Sequence, residues 1–76
     1  MVTIRFFAAA REAAGRASVE VPAGAVGERL TGLALGPRFD DVLAVSTLLC
    51  DGQHLALEEE VGEGAVVDVL PPFAGG

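Results

Sequence analysis

The spacing of apolar side chains changes along this chain, and that change limits the folds open to it more than any other feature. Val2, Ile4 and Phe6 alternate with residues of the opposite face, and alternation returns in residues 17–24. A period of two is typical of a half-buried β-strand. From Val26 onward, apolar residues recur every three or four positions, which is typical of one helix face. The sequence therefore predicts strand, strand and helix in that order.

Glycine and proline mark the connections between these elements. The stretch AAAREAAG, residues 8–15, is predicted to turn the chain as a loop, with Gly15 free to take a positive φ. The dipeptide Gly36-Pro37 is predicted to end the helix. Residues 38–43 have helical spacing and are predicted to add one short helical turn.

The second half of the chain contains the remaining strands. Residues 43–50 are apolar and β-branched, and they precede an Asp-Gly pair at residues 51–52 that is a hairpin turn signal. A short apolar piece around Leu55 follows, and residues 65–70 are predicted to be the closing strand.

One arrangement accounts for this order of elements. A connection between parallel strands needs a long crossover, so the first and last strands are expected to be adjacent and parallel at the centre of a mixed sheet. The predicted fold class is α+β, a β-grasp domain of the ubiquitin-like type, with four to five strands packed on one main helix. We divide the chain into this domain, residues 1–70, and a flexible tail, residues 71–76.

Size and charge restrict the function. A domain of 76 residues buries only about 60% of the surface its unfolded chain exposes, so any chemistry must lie on the surface or be shared with a partner. The net charge is −6, from 11 acidic residues and five arginines. This excess argues against nucleic acid and favours a partner with a basic surface. The acidic run Glu58 to Glu60 is either a solvated face or a docking element for that partner.

Few other residues suggest chemistry. Cys50 is a candidate persulfide carrier, but a structural thiol is the favoured interpretation, because no base lies near it in sequence. His54 has no second ligand at metal spacing, so no metal site is predicted. Since a single cysteine forms no internal disulfide and the sequence shows no leader or membrane-spanning segment, we expect a cytoplasmic protein without membrane contact.

The sequence PPFAGG at residues 71–76 is the strongest functional signal. Pro71 and Pro72 are predicted to form a stiff stalk, and Gly75 and Gly76 remove all side-chain bulk near the terminal carboxylate. Such an end can enter a narrow channel in another protein. Because an ionised carboxylate is a poor electrophile, it must be activated first, most simply as an acyl-adenylate formed with ATP. The alternative is a frayed terminus without function.

Three stretches carry a resemblance to a known family: IRFFAAAREAAG at 4–15, VGEGAVVDVL at 61–70, and the terminal PPFAGG. Together they resemble the small subunit of molybdopterin synthase, a ubiquitin-like sulfur carrier. The resemblance implies that an adenylyltransferase of the ubiquitin-activating type uses ATP to adenylate Gly76, which a sulfur donor then converts to a thiocarboxylate. It implies no permanently bound cofactor.

The resemblance also implies a partner and a place for the tail. Pro71, Pro72, Phe73, Ala74 and Gly75 would insert Gly76 into the large synthase subunit, in an assembly of two small and two large subunits. There the sulfur passes to cyclic pyranopterin monophosphate, for the dithiolene that holds molybdenum.

Exposed apolar residues are the candidate contacts with that subunit. Phe7 and Leu70 are predicted to share a patch at the start of the tail, and Leu55 is a third candidate contact. Three other functions stay open: a sulfur carrier for the thiazole of thiamine, a ubiquitin-like modifier, and an interaction module that does not use the carboxylate.

Overall fold

A computed structural model describes residues 1–72, so Phe73, Ala74, Gly75 and Gly76 lie outside the described residues. Ten short elements follow one another along the chain. In order they are β1 (Val2–Phe6), α1 (Ala8–Ala14), β2 (Ser18–Val21), β3 (Gly24–Ala25), α2 (Val26–Gly32), α3 (Pro37–Ala44), β4 (Thr47–Cys50), β5 (Gln53–His54), β6 (Glu60–Val61) and β7 (Val66–Leu70).

The main sheet has five strands in the order β2-β1-β7-β4-β5. Strands β1 and β7 are parallel, and the other neighbours are antiparallel. The predicted central pairing of the first and last strands is confirmed, and with it the ubiquitin-like β-grasp fold. Strands β3 and β6 form a separate two-stranded ladder. Since β1 and β7 run in the same direction, both strands end at one edge of the sheet, where the tail begins.

The core lies between the inner face of the sheet and the helices. Alternation in β1 and β7 buries Val2, Ile4, Val67 and Val69 completely, as the period-two pattern predicts. Phe39 of α3 is 1% exposed. Its ring lies 5.4 Å from the ring of Phe6 at an interplanar angle of 85°, an edge-to-face contact.

The loop predicted for residues 8–15 is wrong, because residues 8–14 form α1. Alanine has the highest helix propensity of all residues, and this stretch contains five alanines among seven residues. Ala10 and Ala14 are buried against the core despite their small size. Gly15 ends the helix at a φ of 75°, so its predicted positive φ is confirmed.

The predicted helix starting at Val26 is confirmed, although it is only one of three helices of seven or eight residues. The helix end predicted at Gly36-Pro37 is wrong, because α2 already ends at Gly32, and Pro37 instead occupies the first turn of α3. The short helical turn predicted at 38–43 is therefore part of a complete helix. The strand predicted at 43–50 starts only at Thr47, because α3 continues to Ala44.

The hairpin predicted at residues 51–52 is confirmed. Asp51 and Gly52 have φ values of 52° and 79°, which allows the tight turn between β4 and β5. The short strand after it is Gln53–His54 and does not include Leu55. Within residues 1–72, no helix is long and apolar enough to cross a membrane.

Candidate functional site

The start of the tail is anchored at the ends of β1 and β7. The backbone N–H of Phe7 donates a hydrogen bond to the carbonyl of Val69 at 3.2 Å, which continues the parallel ladder to the last residues of both strands. Pro71 is still buried, whereas Pro72 is exposed. Because proline has no N–H to donate, the ladder cannot continue past Leu70. The predicted stalk therefore begins inside the packed domain and reaches solvent within one residue.

The outer face of the sheet carries an ion pair beside this point. Arg5 donates to both carboxylate oxygens of Asp68, at 2.6 and 2.9 Å. The hydrogen bond that Arg5 donates to Asp68, and then the negative charge of Asp68, raise the pKa of the Arg5 guanidinium. The guanidinium also lies 5.5 Å from the centre of the Phe7 ring. One charged pair thus connects the two parallel strands and stacks on the aromatic ring next to the tail.

The strand register brings two of the three predicted partner contacts together. Phe6 pairs with Val69, so Phe7 and Leu70 follow as neighbours on the outer face. Phe7 has extended backbone geometry and is 37% exposed, and Leu70 is half-buried. Together they form an apolar patch, called here the root patch.

Leu55 lies elsewhere. Its backbone N–H donates to the carbonyl of Leu48, and its half-buried side chain packs against the core on the inner face of the sheet. The structure therefore does not bring Leu55 to the root patch. The reacting group predicted at Gly76, and the predicted insertion residues Phe73, Ala74 and Gly75, lie outside the described residues.

A second group of polar residues lies at the opposite end of the sheet. Cys50, His54, Glu59, Glu60 and Glu63 line a surface groove of about 600 Å³. Antiparallel pairing places Cys50 opposite Val67, near the start of β7, so this groove is remote from the tail. Within residues 1–72, no group of three His, Cys, Asp or Glu side chains could hold a metal ion.

The Cys50 thiol has the environment of a structural cysteine. Burial raises its pKa, and the neighbouring Asp51 carboxylate raises it further. A raised pKa lowers the thiolate fraction at neutral pH, and the thiolate is the nucleophilic form. This geometry supports the structural interpretation of Cys50 over the persulfide alternative.

The residues Arg11 and Glu12 occupy α1. The carbonyl of Arg11 accepts the hydrogen bond from Gly15 that closes the helix, at 2.9 Å. Glu12 lies 3.6 Å from the guanidinium of Arg38 on α3. Sequence reasoning missed the Arg5 pair with Asp68, although the strand alternation combined with a parallel register would have placed both residues on the same face.

The β-grasp sheet and the tail at the end of its central strand define a domain of the ubiquitin-like carrier class. The ThiS family model matches residues 4–76, so the chain belongs to the ThiS family of ubiquitin-like sulfur carriers.

Solved structures show the same fold. Two crystal structures of SAMP1, small archaeal modifier protein 1 of Haloferax volcanii, are similar to this chain. The first has 24% identity and a TM-score of 0.78, covering 99% of this chain and 98% of that one. The second has 25% identity and a TM-score of 0.73, covering 95% and 97%. A complex of subunits 1 and 2 of molybdopterin-converting factor from Helicobacter pylori 26695 contains a chain with 21% identity and a TM-score of 0.68, covering 99% and 97%.

The raised pKa of Cys50 predicts slow alkylation. We expect the iodoacetamide reaction of the folded chain to require a more alkaline pH than that of a free cysteine, because the thiolate appears only above the raised pKa. Asp51→Asn is a matched variant, since asparagine tolerates the left-handed backbone of Asp51 and removes only the charge. This variant should move the pH dependence of the alkylation rate to lower pH, because it removes the charge of Asp51. The pKa increase caused by burial of Cys50 should remain. A midpoint at or below that of free cysteine would contradict this interpretation.

Proposed function

We propose that this chain is the sulfur-carrying subunit of a molybdopterin synthase and that its reacting group is the carboxylate of Gly76. The observation that carries the proposal is the ThiS family match through residue 76. It is supported by the position of Pro71 and Pro72, directly after the central strand. The fold shared with a chain in a complex of molybdopterin-converting factor subunits 1 and 2 supports the synthase role.

The proposed chemistry has two steps. A carboxylate oxygen of Gly76 attacks the α-phosphorus of ATP, which forms the acyl-adenylate and releases pyrophosphate. A sulfur nucleophile supplied by a donor then attacks the carbonyl carbon, and AMP leaves with the electron pair of the broken carbon–oxygen bond. When the donor delivers the sulfur as hydrosulfide, the product of this attack is the thiocarboxylate, with loss of one proton and no oxidation or reduction. ATP is bound by the activating enzyme, so the chain itself needs no resident cofactor.

The fold contributes position and reach to this chemistry. Six residues in extended form span about 20 Å, so residues 71–76 are long enough to carry a terminal carboxylate into a deep pocket. The buried Pro71 fixes one end of that span on the domain. A stiff proline stalk also lowers the entropy cost of ordering the tail when it is inserted.

The proposal includes two partner proteins. A ubiquitin-activating-type adenylyltransferase activates Gly76, and the large synthase subunit receives the thiocarboxylate and transfers its sulfur to cyclic pyranopterin monophosphate. The assembly contains two small and two large subunits, and it works in the cytoplasm. The root patch of Phe7 and Leu70 is the proposed contact with the large subunit, because it adjoins the point where the tail begins.

Thiocarboxylate formation tests the reacting group. Incubation of the chain with the adenylyltransferase of its own genome, ATP and a sulfur source should give a mass increase equal to the replacement of one oxygen by sulfur. Deletion of Gly76, or extension beyond it, should abolish this product while circular dichroism still shows the folded domain. Normal thiolation of a chain without Gly76 would refute the assignment.

The root patch predicts a docking defect. Phe7→Arg or Leu70→Arg should weaken binding to the large subunit by about 2 kcal/mol or more, because each change places a charge in an apolar contact. Leu57→Arg is the matched control: Leu57 is 48% exposed and contacts the helix side of the molecule, where its carbonyl accepts from the N–H of Gly27. Unchanged affinity of both root-patch variants in titration calorimetry would remove the patch from the interface.

Two other carboxylate-using functions remain as alternatives. A sulfur carrier for the thiazole of thiamine uses the same terminal group, and the similarity to small archaeal modifier protein 1 favours a modifier that forms covalent bonds to other proteins. A modifier would yield covalent conjugates of this chain in cell extracts.

Gene deletion separates the two sulfur pathways. Cells that lack this protein should lose molybdoenzyme activity, such as nitrate reduction, and should grow without added thiamine, provided that no paralogue substitutes. Thiamine auxotrophy with intact molybdoenzymes would instead establish the thiazole role.

A further inference from the structure

We propose that an arginine-lined groove beside the tail docks a carboxylate-bearing surface of the protein that receives the tail. This arginine groove contains Arg11 and Arg16 at the end of α1. It continues through Arg11 into a hollow that Arg5, Phe7 and Ser18 line. The inference rests on the proposed function, because that function supplies a partner for the tail.

The first observation is that two arginines have no partner on the domain. Of the five arginines, Arg29 donates to two backbone carbonyls, Arg5 is held by a carboxylate, and Arg38 lies 3.6 Å from another carboxylate. Arg11 and Arg16 make no side-chain hydrogen bond or ion pair within the described part of the chain. The guanidinium groups of Arg11 and Arg16 line the same groove.

The second observation concerns the shape of the groove. Its remaining lining is mostly small, with Ala8, Gly15 and Ala17, which leaves an open hollow of about 530 Å³ between the two arginines. A guanidinium presents five N–H donors in a planar fork and pairs best with two acceptor oxygens of a carboxylate or phosphate. A hollow of this kind can receive an acidic side chain from another protein.

The third observation is position. Phe7 lines the hollow next to Arg11 and also bonds to the backbone of Val69, one residue before the end of β7. A protein that encloses the tail must therefore approach the arginine groove and the root patch from the same side. Phe7 belongs to both, so the two surfaces are continuous.

The distribution of charged residues along the domain predicts which chemical group of a partner binds in the arginine groove. The net charge of −6 by itself predicts a basic partner, yet three arginines and a single acidic residue, Glu12, line the two hollows at the tail end. The acidic residues Asp51, Glu59, Glu60 and Glu63 line the groove at the opposite end. The partner face next to the tail should accordingly carry carboxylates, because opposite charges across an interface raise the association rate and suppress wrong orientations.

Charge reversal tests the arginine groove. The full chain would be titrated against the adenylyltransferase and the large subunit of its own genome, at about 0.05 M and about 0.5 M salt. Arg11→Glu and Arg16→Glu should weaken binding to at least one partner by about tenfold or more at low salt. High salt should reduce this difference, because it screens exposed charges. Gln53→Glu adds a negative charge at the opposite end of the sheet, away from the arginine groove, and should alter affinity by less than about threefold.

Each outcome decides the proposal. Salt-dependent loss of binding for the groove variants, with normal binding by Gln53→Glu, supports it. Normal binding by both groove variants overturns it and leaves the proposed function intact, provided that the unaltered chain still forms a thiocarboxylate. Failure of the unaltered chain to bind either partner overturns the groove and the proposed function together. Direct binding of AMP or inorganic phosphate by the chain alone, lost in Arg11→Glu, would assign a small anion to the groove and overturn protein docking.

Discussion

The parallel pairing of β1 with β7 is the constraint on which the rest of this molecule depends. It joins the first and last strands of the domain, so the chain between them must provide a crossover, and the helices that form it cover one face of the sheet. The same pairing makes both strands end at one edge. This pairing makes Phe7 and the start of the tail neighbours, although Phe7 and Leu70 lie 63 positions apart in the sequence.

The two faces of this central pair have different tasks. The inner face is entirely apolar, with Ile4 and Val67 fully buried, and it supplies the stability of a small domain. On the outer face, Arg5 and Asp68 form an ion pair across the two strands. Within residues 1–72, no buried side-chain nitrogen or oxygen lacks a hydrogen-bond partner. The outer surface combines a hydrogen-bonded ion pair with the apolar root patch beside it, and such a surface suits a docking role.

The two ends of this small domain carry different local charge, even though the whole chain is acidic. The acidic excess of the chain suggests a basic partner, but the groove nearest the tail is lined by arginines, and the acidic groove lies at the far end of the sheet. At physiological salt, exposed charges further apart than about 8 Å are largely screened from each other. The partner that takes the tail therefore meets the local charge of the tail end rather than the net charge of the chain.

The sequence by itself determined the class of fold and supplied the hypothesis about the chemistry of the tail. Period-two alternation in β1 and helical spacing after Val26 are local patterns that depend only on side-chain direction, so both could be read without coordinates. The activation that a terminal carboxylate requires likewise follows from its ionisation.

Only the tertiary structure decided where the remaining residues act. The alanine-rich sequence of α1 shows no apolar period, because alanine side chains are small. Only the structure shows that residues 8–14 form a helix and that Ala10 and Ala14 are buried against the core. Leu55 and Leu70 are equally apolar in sequence, yet Leu55 packs against the core, whereas Leu70 lies on the outer face of β7. The whole lining of the arginine groove comes from residues 5–18, but its grouping depends on helix α1, which the apolar pattern of the sequence did not predict.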